Sequence, residues 1–405
     1  MTGLVVAVFI FTYIGMALGR VPGLAVDRTG IALLGITVLI ASGTLSFSQA
    51  ADAVDLPTII LLFALMIVSA QFQTSGFYDI CARAITNASA RPGLLLGMVI
   101  AVSGVLSALL TNDVVVFALT PLVCIGLKTK RLDPRPYLVA LAGAANAGSA
   151  ATIIGNPQNI LIGQVGNIDF WYFAAVCTPV ALASLAIVYG VVWLTWRRVL
   201  AADPEAGIVV PPSQVDRFQI GRGLVALALL LALFSTPVPH EVSALAVAGL
   251  LLVSRKISSR DMLKSVDWPL LLLFICLFGV TAAFASTGLA GDALQWSIDR
   301  GWDLGNLSVL APLSLIMSNT IGNVPAVILL TTVVPDMSQV TLIGLSLLST
   351  LAGNLLLTGS IANIIVAERA AGLGVSLSFA DFARSGVIAT ALSFAVAIAW
   401  LMLVV

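Results

Sequence analysis

Long apolar stretches occupy most of this 405-residue chain. Only 9% of its residues are charged, whereas soluble domains carry about 25%. A helix needs roughly 20 residues to cross the ~30 Å hydrocarbon layer of a bilayer. Apolar runs of about that length lie at 3–19, 29–46, 57–73, 137–166, 172–196, 222–236, 241–254, 268–285, 339–367 and 385–405. The pattern predicts an all-α polytopic membrane protein with about ten crossings of a lipid bilayer.

Two further apolar stretches, 94–127 and 305–335, are broken near their centres by polar clusters. Thr111-Asn112-Asp113 interrupts the first stretch, and Ser318-Asn319-Thr320-Ile321-Gly322-Asn323 interrupts the second. Each stretch is too long for one crossing and too short for two crossings with a loop. Non-helical backbone within a bilayer must be enclosed by protein or by water. We therefore predict two re-entrant hairpins with their tips near the midplane.

The basic residues test this topology, because cytoplasmic loops are enriched in Lys and Arg. Ten crossings and two hairpins that do not cross place every Lys and Arg except Arg300 on one side. The loops on that side are 20–28, 74–92, 128–135, 197–222, 255–264 and 369–384. The distribution predicts that both termini lie outside. We expect the membrane to be a bacterial-type inner membrane.

Short polar motifs in the first half of the chain recur in the second half. Asp55-Leu56-Pro57 matches Asp267-Trp268-Pro269, and the tip residues Thr111-Asn112 match Ser318-Asn319. The run from Gly155 to Ile160 likewise matches the run from Gly359 to Ile364. In the predicted topology the first copy begins inside and the second begins outside. The chain is therefore expected to contain two inverted repeats.

The repeats divide the chain into four parts. We expect an N-terminal helix (1–28), a first repeat (29–198), a cytoplasmic linker with a connecting helix (199–240), and a second repeat (241–405). Inverted repeats with interrupted helices in corresponding positions are typical of secondary transporters, which bind substrate and ions near the midplane. The two hairpin tips and the two broken crossing helices should therefore converge. A block of about 94–170 plus 305–370 would contain them, and the remainder would form a scaffold.

Asp113 is the one acid, out of 19, that lies deep inside an apolar stretch. A carboxylate there costs several kcal/mol unless it is paired, protonated or bound to a cation. We expect Asp113 to help hold a coupling ion, Na⁺ or H⁺. The matching position in the second repeat is the neutral Thr320, so the two sites would differ. The alternative is that Asp113 only N-caps the second hairpin arm, which Asn or Ser would do equally well.

Side-chain and backbone oxygens at the four breaks suit a hard cation. The candidate residues for binding substrate or cation are Thr111, Asn112, Asp113, Gly155, Asn156, Asn159, Ser318, Asn319, Thr320, Asn323, Gly359, Ser360 and Asn363. Candidate Na⁺ ligands are Asn112, Asp113 and Asn156 in one repeat and Ser318, Asn319 and Ser360 in the other. The half-helices that begin after the breaks offer free amides to an anion. The alternative for any one of these residues is that it caps a kinked helix or permits close helix packing.

Other chemistry finds little support in the sequence. The four cysteines stand singly, and the only histidine, His240, lies in a short outer loop. No HExxH motif and no pair of membrane carboxylates indicates a protease or a di-metal site. Acids and bases balance at 19 each, so charge gives no reason to expect a nucleic-acid partner. We expect no enzymatic activity and no cofactor other than a possible coupling Na⁺.

The motifs at the breaks resemble a known superfamily over essentially the whole chain. The segments SALLTNDVVVFALTPL (107–122), NAGSAATIIGNPQNILIG (146–163), SNTIGNVPAVILL (318–330) and GSIANIIVAERA (359–370) carry the likeness. They are similar to the ion transporter superfamily of ArsB-type arsenite permeases, NhaD-type sodium/proton antiporters, citrate-metal symporters and sodium-coupled dicarboxylate symporters. The likeness is strongest to the YbiR-like branch, described as anion transporters.

This resemblance implies an elevator mechanism, usually in a homodimer, in which the block slides against the scaffold. Ser318-Asn319-Thr320 keeps the tip pattern of the dicarboxylate symporters, whereas Thr111-Asn112-Asp113 departs toward the Asn-Asp of arsenite permeases. No Lys or Arg stands at the breaks, which favours a small, weakly charged or neutral oxyacid, or a sodium-assisted carboxylate. Three functions stay open: a Na⁺- or H⁺-coupled transporter of a small anion or oxyanion, a Na⁺/H⁺ antiporter, and a passive channel.

Overall fold

The structure is a computed structural model that describes residues 2–19, 23–87, 91–201 and 215–404. Within these ranges the first ten helices are α1 (Thr2–Leu18), α2 (Arg28–Ala41), α3 (Phe47–Asp52), α4 (Leu56–Thr74), α5 (Phe77–Asn87), α6 (Pro92–Leu109), α7 (Asn112–Thr129), α8 (Arg135–Ser149), α9 (Pro157–Val165) and α10 (Phe170–Thr195). The next ten are α11 (Arg217–Leu233), α12 (His240–Leu252), α13 (Ser259–Lys264), α14 (Trp268–Ala285), α15 (Leu289–Ile298), α16 (Leu307–Thr320), α17 (Asn323–Val333), α18 (Gln339–Ala352), α19 (Ile361–Ala371) and α20 (Phe379–Val404). A single 3-10 turn precedes α9 and another precedes α19, at Ile153–Gly155 and Leu357–Gly359. Most of the predicted linker (202–214) and the predicted inner-loop residue Arg20 lie outside the described residues.

The order of helices in the first half recurs in the second half. From α2 to α10, and again from α12 to α20, the chain runs through the same series. The series is an apolar helix, a short helix, a second apolar helix, a surface helix, two hairpin arms, a half-helix, a 3-10 turn, a half-helix and a 26-residue helix. This architecture confirms the predicted all-α polytopic fold.

The two copies pack on each other reciprocally. Helix α2 of the first copy lies against α14, and its counterpart α12 lies against α4. In the same way, the hairpin arm α7 lies against the half-helix α19, and the hairpin arm α17 lies against α9. Each copy therefore completes the other, as expected for two repeats related by a two-fold operation.

Matched capping residues start the second apolar helix of each copy. Asp55 accepts a hydrogen bond from the backbone N–H of Thr58 at 2.8 Å at the start of α4. Asp267 accepts from the N–H of Leu270 at 3.0 Å at the start of α14. An aspartate cap followed by proline in the first turn is a strong helix-start signal. The repeated Asp-x-Pro of the sequence therefore fixes where both helices begin.

The first half-helix of each broken crossing forms the centre of the protein. Every residue of α8 after Arg135 is buried, and so is every residue of α18 from Thr341 onward. Helix α8 packs most tightly on α6, where a Cβ on Gly148 would lie 2.5 Å from the Cα of Gly104. Small residues allow such close approach of helices in membranes. The breaks that follow α8 and α18 therefore lie deep inside the molecule.

The outer helices supply the surface that faces lipid. Six helices in the described ranges have at least 18 residues and are apolar enough to cross a membrane: α4, α6, α7, α10, α14 and α20. Shorter apolar helices, among them α1, α2 and α12, add to these. Exposed apolar side chains such as Val225 (69%) and Leu403 (81%) lie on outer helices. Such exposure is unfavourable in water but expected in contact with lipid.

The first hairpin differs in size from the sequence prediction. Arms α6 and α7 each have 18 residues, about 27 Å at 1.5 Å per residue, so the expectation that this stretch is too short for two crossings is wrong. The arms reach Pro92 and Thr129, beyond the apolar limits drawn from the sequence. The second hairpin is shorter, with arms of 14 and 11 residues. Two full crossings and two re-entrant arms both return the chain to the side from which it came, so the predicted sidedness of the loops is the same in either case.

Candidate functional site

The tip of the first hairpin holds three buried oxygens without a hydrogen-bond partner. They are Ser107 Oγ, Thr111 Oγ1 and Asn112 Oδ1, on residues whose exposure is at most 3%. A buried polar atom left unpaired costs roughly 1–3 kcal/mol. Three such costs within six residues need an explanation. A bound cation would explain these unpaired oxygens, because a cation binds oxygen lone pairs and brings no acceptor of its own.

The tip of the second hairpin holds the matching three oxygens. They are Ser314 Oγ, Ser318 Oγ and Asn319 Oδ1, again buried and without a partner. Ser314 and Ser318 stand one helical turn apart on α16 and so share a face. Other buried hydroxyls, such as that of Ser184, also lack partners. The tips differ from these in that three unpaired oxygens occur together, at corresponding positions of both repeats.

Ser107 and Ser314 were missed in the sequence analysis. The prediction stopped at the polar clusters themselves, whereas these serines stand one turn earlier within apolar segments. The available signal was the repeat, because Ser107 precedes Thr111 by the same spacing as Ser314 precedes Ser318. A serine alone in an apolar helix carries little information. A serine at the same distance from both tips carries more.

The break between α8 and α9 is held by its own asparagines. Asn156 is the N-cap of α9 and accepts from the N–H of Asn159 at 2.8 Å. The side-chain amide of Asn159 donates to the carbonyls of Ser149 and Thr152, at 3.1 and 3.0 Å. Gly155 is required here, since a Cβ would lie 2.7 Å from the Cα of Ser149. Asn156 therefore caps, and Asn159 braces the break.

The break between α18 and α19 repeats this arrangement. Ser360 is the N-cap of α19 and accepts from the N–H of Ala362 at 3.3 Å. Asn363 donates to the carbonyls of Gly353 and Leu356, at 2.7 and 3.1 Å. A Cβ on Gly359 would lie 2.5 Å from Asn319 Oδ1, so this glycine makes room for the second tip. These residues therefore cap and brace the breaks, and each capping oxygen keeps a second lone pair. Their role in binding stays a prediction.

Hydrogen bonds join the tips to the breaks. Asn112 of the first tip donates to Asn146 Oδ1 at 3.4 Å, and Thr152 donates to the carbonyl of Ala108 at 2.5 Å. Asn319 of the second tip donates to the carbonyl of Ala352 at 2.9 Å. Each tip therefore rests against the break of its own repeat. All four interruptions belong to one connected polar region.

Two residues that the sequence analysis did not single out take part in hydrogen bonds between the repeats. Asn146, near the end of α8, donates to Asn363 Oδ1 at 3.0 Å in the second repeat. Thr350, near the end of α18, donates to Asn159 Oδ1 at 3.1 Å in the first repeat. Both residues lie in apolar, small-residue helices, and their partners are about 200 positions away. Sequence spacing offers no signal for such pairs.

Asp113 lies at the mouth of the first tip and not at the cap. Helix α7 has Thr111 as its N-cap, and Asp113 is its second residue, so the N-cap alternative for Asp113 is not observed. The carboxylate lines a cavity of about 310 Å³ together with Asp267 and Lys264. Pro157, at the start of α9, lines the same cavity. The N-termini of the hairpin arm α7 and of the half-helix α9 therefore face this cavity.

The cavity lies between the predicted moving block and the predicted scaffold. Of the residues that line it, Asp113 and Pro157 fall within the predicted block, whereas Asp267 and Lys264 fall within the predicted scaffold. A second cavity of about 610 Å³ shares Asp267 and extends along α19 to Glu368. Lys264 was not expected beside the first tip, because it belongs to a loop far away in the sequence. The charged side chains that line the first cavity are thus two carboxylates, Asp113 and Asp267, and one ammonium, Lys264.

Two further predicted site residues, Thr320 and Asn323, lie at the second tip. Thr320 is exposed, and its hydroxyl donates to the carbonyls of Ile316 and Met317 on its own helix, at 2.8 and 3.1 Å. Asn323 is the first residue of α17, after Gly322, whose φ of +96° favours glycine. The second tip therefore has no carboxylate to match Asp113.

The described site residues offer oxygen ligands of the kind that hard cations prefer. The unpaired atoms at both tips are hydroxyl and amide oxygens, which suit such ions. No group of three or more His, Cys, Asp or Glu side chains that could hold a metal ion occurs among the described residues. The tips thus offer neutral oxygen sites, with one carboxylate beside the first.

Comparison with known proteins places the chain among transporters. The model of the citrate transporter family, CitMHS, matches residues 6–341. The inner membrane protein YbiR of Escherichia coli is 31% identical, over 78% of this chain and 81% of that protein. The silicon efflux transporter LSI3 of Oryza sativa is 27% identical, over 86% of each chain. Among solved structures, the YdaH transporter of Alcanivorax borkumensis has a similar fold, with a TM-score of 0.55 at 16% identity over 99% of this chain and 96% of that one.

Proposed function

The chain belongs to the citrate transporter family of membrane transporters, and we propose that it moves a small anion or oxyacid by coupling it to Na⁺ or H⁺. The observation that supports this proposal most strongly is the pair of tips with three unpaired buried oxygens each. A passive pore has no need for such matched sites. A secondary transporter needs them, since ion binding must alternate between two sides.

In the proposed mechanism each hairpin tip binds one cation. At the first tip the ligands are Ser107, Thr111 and Asn112, and at the second tip they are Ser314, Ser318 and Asn319. The capping residues Asn156 and Ser360 lie at the adjoining breaks and orient the half-helices. Asp113 adds a negative charge beside the first tip only. The first tip would therefore respond to protons as well as to Na⁺, because only there can a proton compete with the cation.

The substrate would bind at the cavity of about 310 Å³, a volume at the lower end of small-molecule pockets. Asp113 and Asp267 line it with a single Lys264, so a highly charged anion would meet net repulsion. A neutral or weakly charged oxyacid would not. The rice relative is named as a silicon transporter and the family as citrate transporters, and the charges at this cavity favour the first kind of substrate.

Alternating access would follow from an elevator motion. The block of about 94–170 plus 305–370 would slide against the scaffold, and the cavity lies at the boundary between them. Cavity-lining residues belong to both parts, so such a motion would close the cavity on one side. We further propose a homodimer in a bacterial inner membrane with both termini outside, in keeping with the placement of Lys and Arg.

A second candidate function is Na⁺/H⁺ antiport without an organic substrate. The presence of Asp113 beside one tip favours it, since a membrane carboxylate can exchange a proton for Na⁺. The two functions differ in one measurement. An antiporter moves protons on addition of Na⁺ to proteoliposomes that contain no oxyanion or carboxylate, whereas a symporter does not.

The test uses purified protein in proteoliposomes with silicic acid, arsenite and citrate as probes, each with an imposed Na⁺ or pH gradient. Asp113→Asn keeps the shape but removes the charge, so we expect a folded protein whose transport no longer responds to pH. Asn319→Ala removes one unpaired oxygen from the second tip and should weaken the Na⁺ dependence without changing the pH profile. Wild-type ion coupling in Asp113→Asn would contradict the assignment of Asp113. Transport in the wild type that ignores both gradients would contradict the proposed function.

A further inference from the structure

We infer that Asn146 is a positioning residue that couples cation binding at the first tip to cation binding at the second. The inference rests on the proposed function, in which both tips bind cations, and goes beyond it by naming the connection between them. That connection is an unbroken series of hydrogen bonds and one peptide bond. It begins at an unpaired oxygen of one tip and ends at an unpaired oxygen of the other.

The series begins at Asn112. Its Oδ1 has no partner, whereas its Nδ2 donates to Asn146 Oδ1 at 3.4 Å. This bond is longer than the usual 2.7–3.2 Å. A cation bound at Asn112 Oδ1 draws electron density from the amide, and the N–H then becomes a stronger donor. Cation binding at the first tip should therefore shorten and strengthen the bond to Asn146.

Asn146 passes this change to the second repeat. Its Nδ2 donates to Asn354 Oδ1 at 2.9 Å and to Asn363 Oδ1 at 3.0 Å. Its Oδ1 accepts from Ser360 Oγ at 3.0 Å as well as from Asn112. The two donors and two acceptors of this amide are all used. Asn146 cannot rotate without breaking bonds in both repeats.

The last steps run through the second break. Asn363 donates to the carbonyl of Gly353 at 2.7 Å. The preceding carbonyl, that of Ala352, accepts from Asn319 Nδ2 at 2.9 Å. Asn319 Oδ1 is the unpaired oxygen of the second tip. Strengthening the bonds to Asn363 thus fixes the backbone that orients Asn319, which prepares the second tip for its cation.

The coupling is not duplicated on the other side of the pseudo-two-fold axis. Thr350 occupies the position that corresponds to Asn146 and bonds Asn159 in the first repeat. Among the described residues no hydrogen bond joins Thr350 to the second tip. A threonine hydroxyl has one donor, whereas the asparagine amide has two donors on a longer side chain. Asn146 is therefore the one member of this pair that can connect a tip of one repeat with the break of the other.

The experiment measures the Na⁺ dependence of thermal unfolding of the full-length purified protein, with choline replacing Na⁺ at constant ionic strength. Stabilisation by a ligand that binds the folded state reports its affinity. For two coupled sites we expect a sigmoidal titration in the wild type, with a Hill coefficient between about 1 and 2. Asn146→Thr copies the residue of the other repeat and should lower the coefficient to about 1. Its half-saturating Na⁺ concentration should rise at least about fivefold, the lower range of measured couplings.

The matched control is Ser346→Ala. Ser346 Oγ donates to Asn159 Oδ1 at 2.6 Å, a buried bond between the repeats in which no residue of either tip takes part. This variant should keep the sigmoidal titration. Asn146→Ala serves as a second test of the same position, so the inference does not depend on the folding of one variant.

Three outcomes would overturn the inference, and they differ in whether the proposed cation sites would also be contradicted. A sigmoidal titration in Asn146→Thr equal to that of the wild type would refute the coupling through Asn146 and leave the two cation sites standing. A hyperbolic titration in the wild type would refute coupling between the tips by any route. A wild-type protein that Na⁺ does not stabilise would refute Na⁺ binding itself, and the proposed Na⁺ coupling would fail with the inference.

Discussion

Replacing Ser314 by alanine should change the stability of this protein in opposite directions with and without Na⁺. The hydroxyl of Ser314 is 1% exposed and has no hydrogen-bond partner. Without Na⁺, the wild type bears the cost of an unpaired buried hydroxyl, roughly 1–3 kcal/mol. The alanine variant does not bear it. We therefore expect Ser314→Ala to unfold at a higher temperature than the wild type in choline chloride, by a gain of about 1 kcal/mol or more.

In saturating Na⁺ the order should reverse. A ligand at 100 times its dissociation constant stabilises the folded state by about 2.7 kcal/mol. The variant lacks one ligand of the second tip and should lose most of that contribution, while the first tip keeps its own. For a gain of about 1 kcal/mol, the variant should be less stable than the wild type by up to about 1.7 kcal/mol, which is the lost 2.7 minus that gain.

The assay is thermal unfolding of detergent-purified protein in matched NaCl and choline chloride buffers. Ser184→Ala is the control, because the hydroxyl of Ser184 on α10 is equally buried and unpaired but lies outside both tips. This control should be stabilised in both salts. A Ser314→Ala variant that behaves like Ser184→Ala in NaCl would show that the unpaired oxygens of the second tip do not bind Na⁺.

Two further predictions concern packing and topology. Gly148→Ala should reduce the yield of folded protein and lower its stability by about 1–3 kcal/mol, because the added Cβ meets the backbone of Gly104. The control is Gly190→Ala, which has open space around it and should be neutral. Both variants are compared with the wild type by expression yield and melting temperature. For topology, a cysteine at Lys130 should be shielded from an impermeant thiol reagent added outside cells, and one at Met337 should react, with the parent protein as the control for native cysteines. Outside labelling at Lys130 would contradict the proposed sidedness, and with it the inverted relation of the repeats.

The sequence predicted the fold well because its strongest signals are repeated. The apolar stretches identify the crossings, and the Asp-x-Pro before α4 and α14 marks the same helix start twice. The resemblance to the ion transporter superfamily is confirmed by the match to the citrate transporter family. The limits of the first hairpin were wrong because apolar residues alone set them. Helix α6 begins instead at Pro92 and α7 continues through Lys128 and Thr129.

The candidate site could be predicted only in part. Polar residues that interrupt an apolar run are visible in the sequence, and Asn112 and Asn319 were found in that way. Roles within the site depend on partners that are distant in the chain. Asn159 looks like a ligand until its amide is seen to donate to the carbonyls of Ser149 and Thr152. Asn146 looks like a helix residue until its bonds to the second repeat are seen.

The reciprocal packing of the two copies has a consequence for how the protein is made. Helix α4 finds its partner α12, and α2 its partner α14, only in the second copy. Synthesis proceeds at about 5–20 residues per second, so the first copy waits in the membrane for roughly ten seconds or more before those partners emerge. During that time its polar breaks lack the braces that Thr350 and Ser346 provide. We therefore expect Asn159 of the nascent first half to lack these two partners until the second copy has been made.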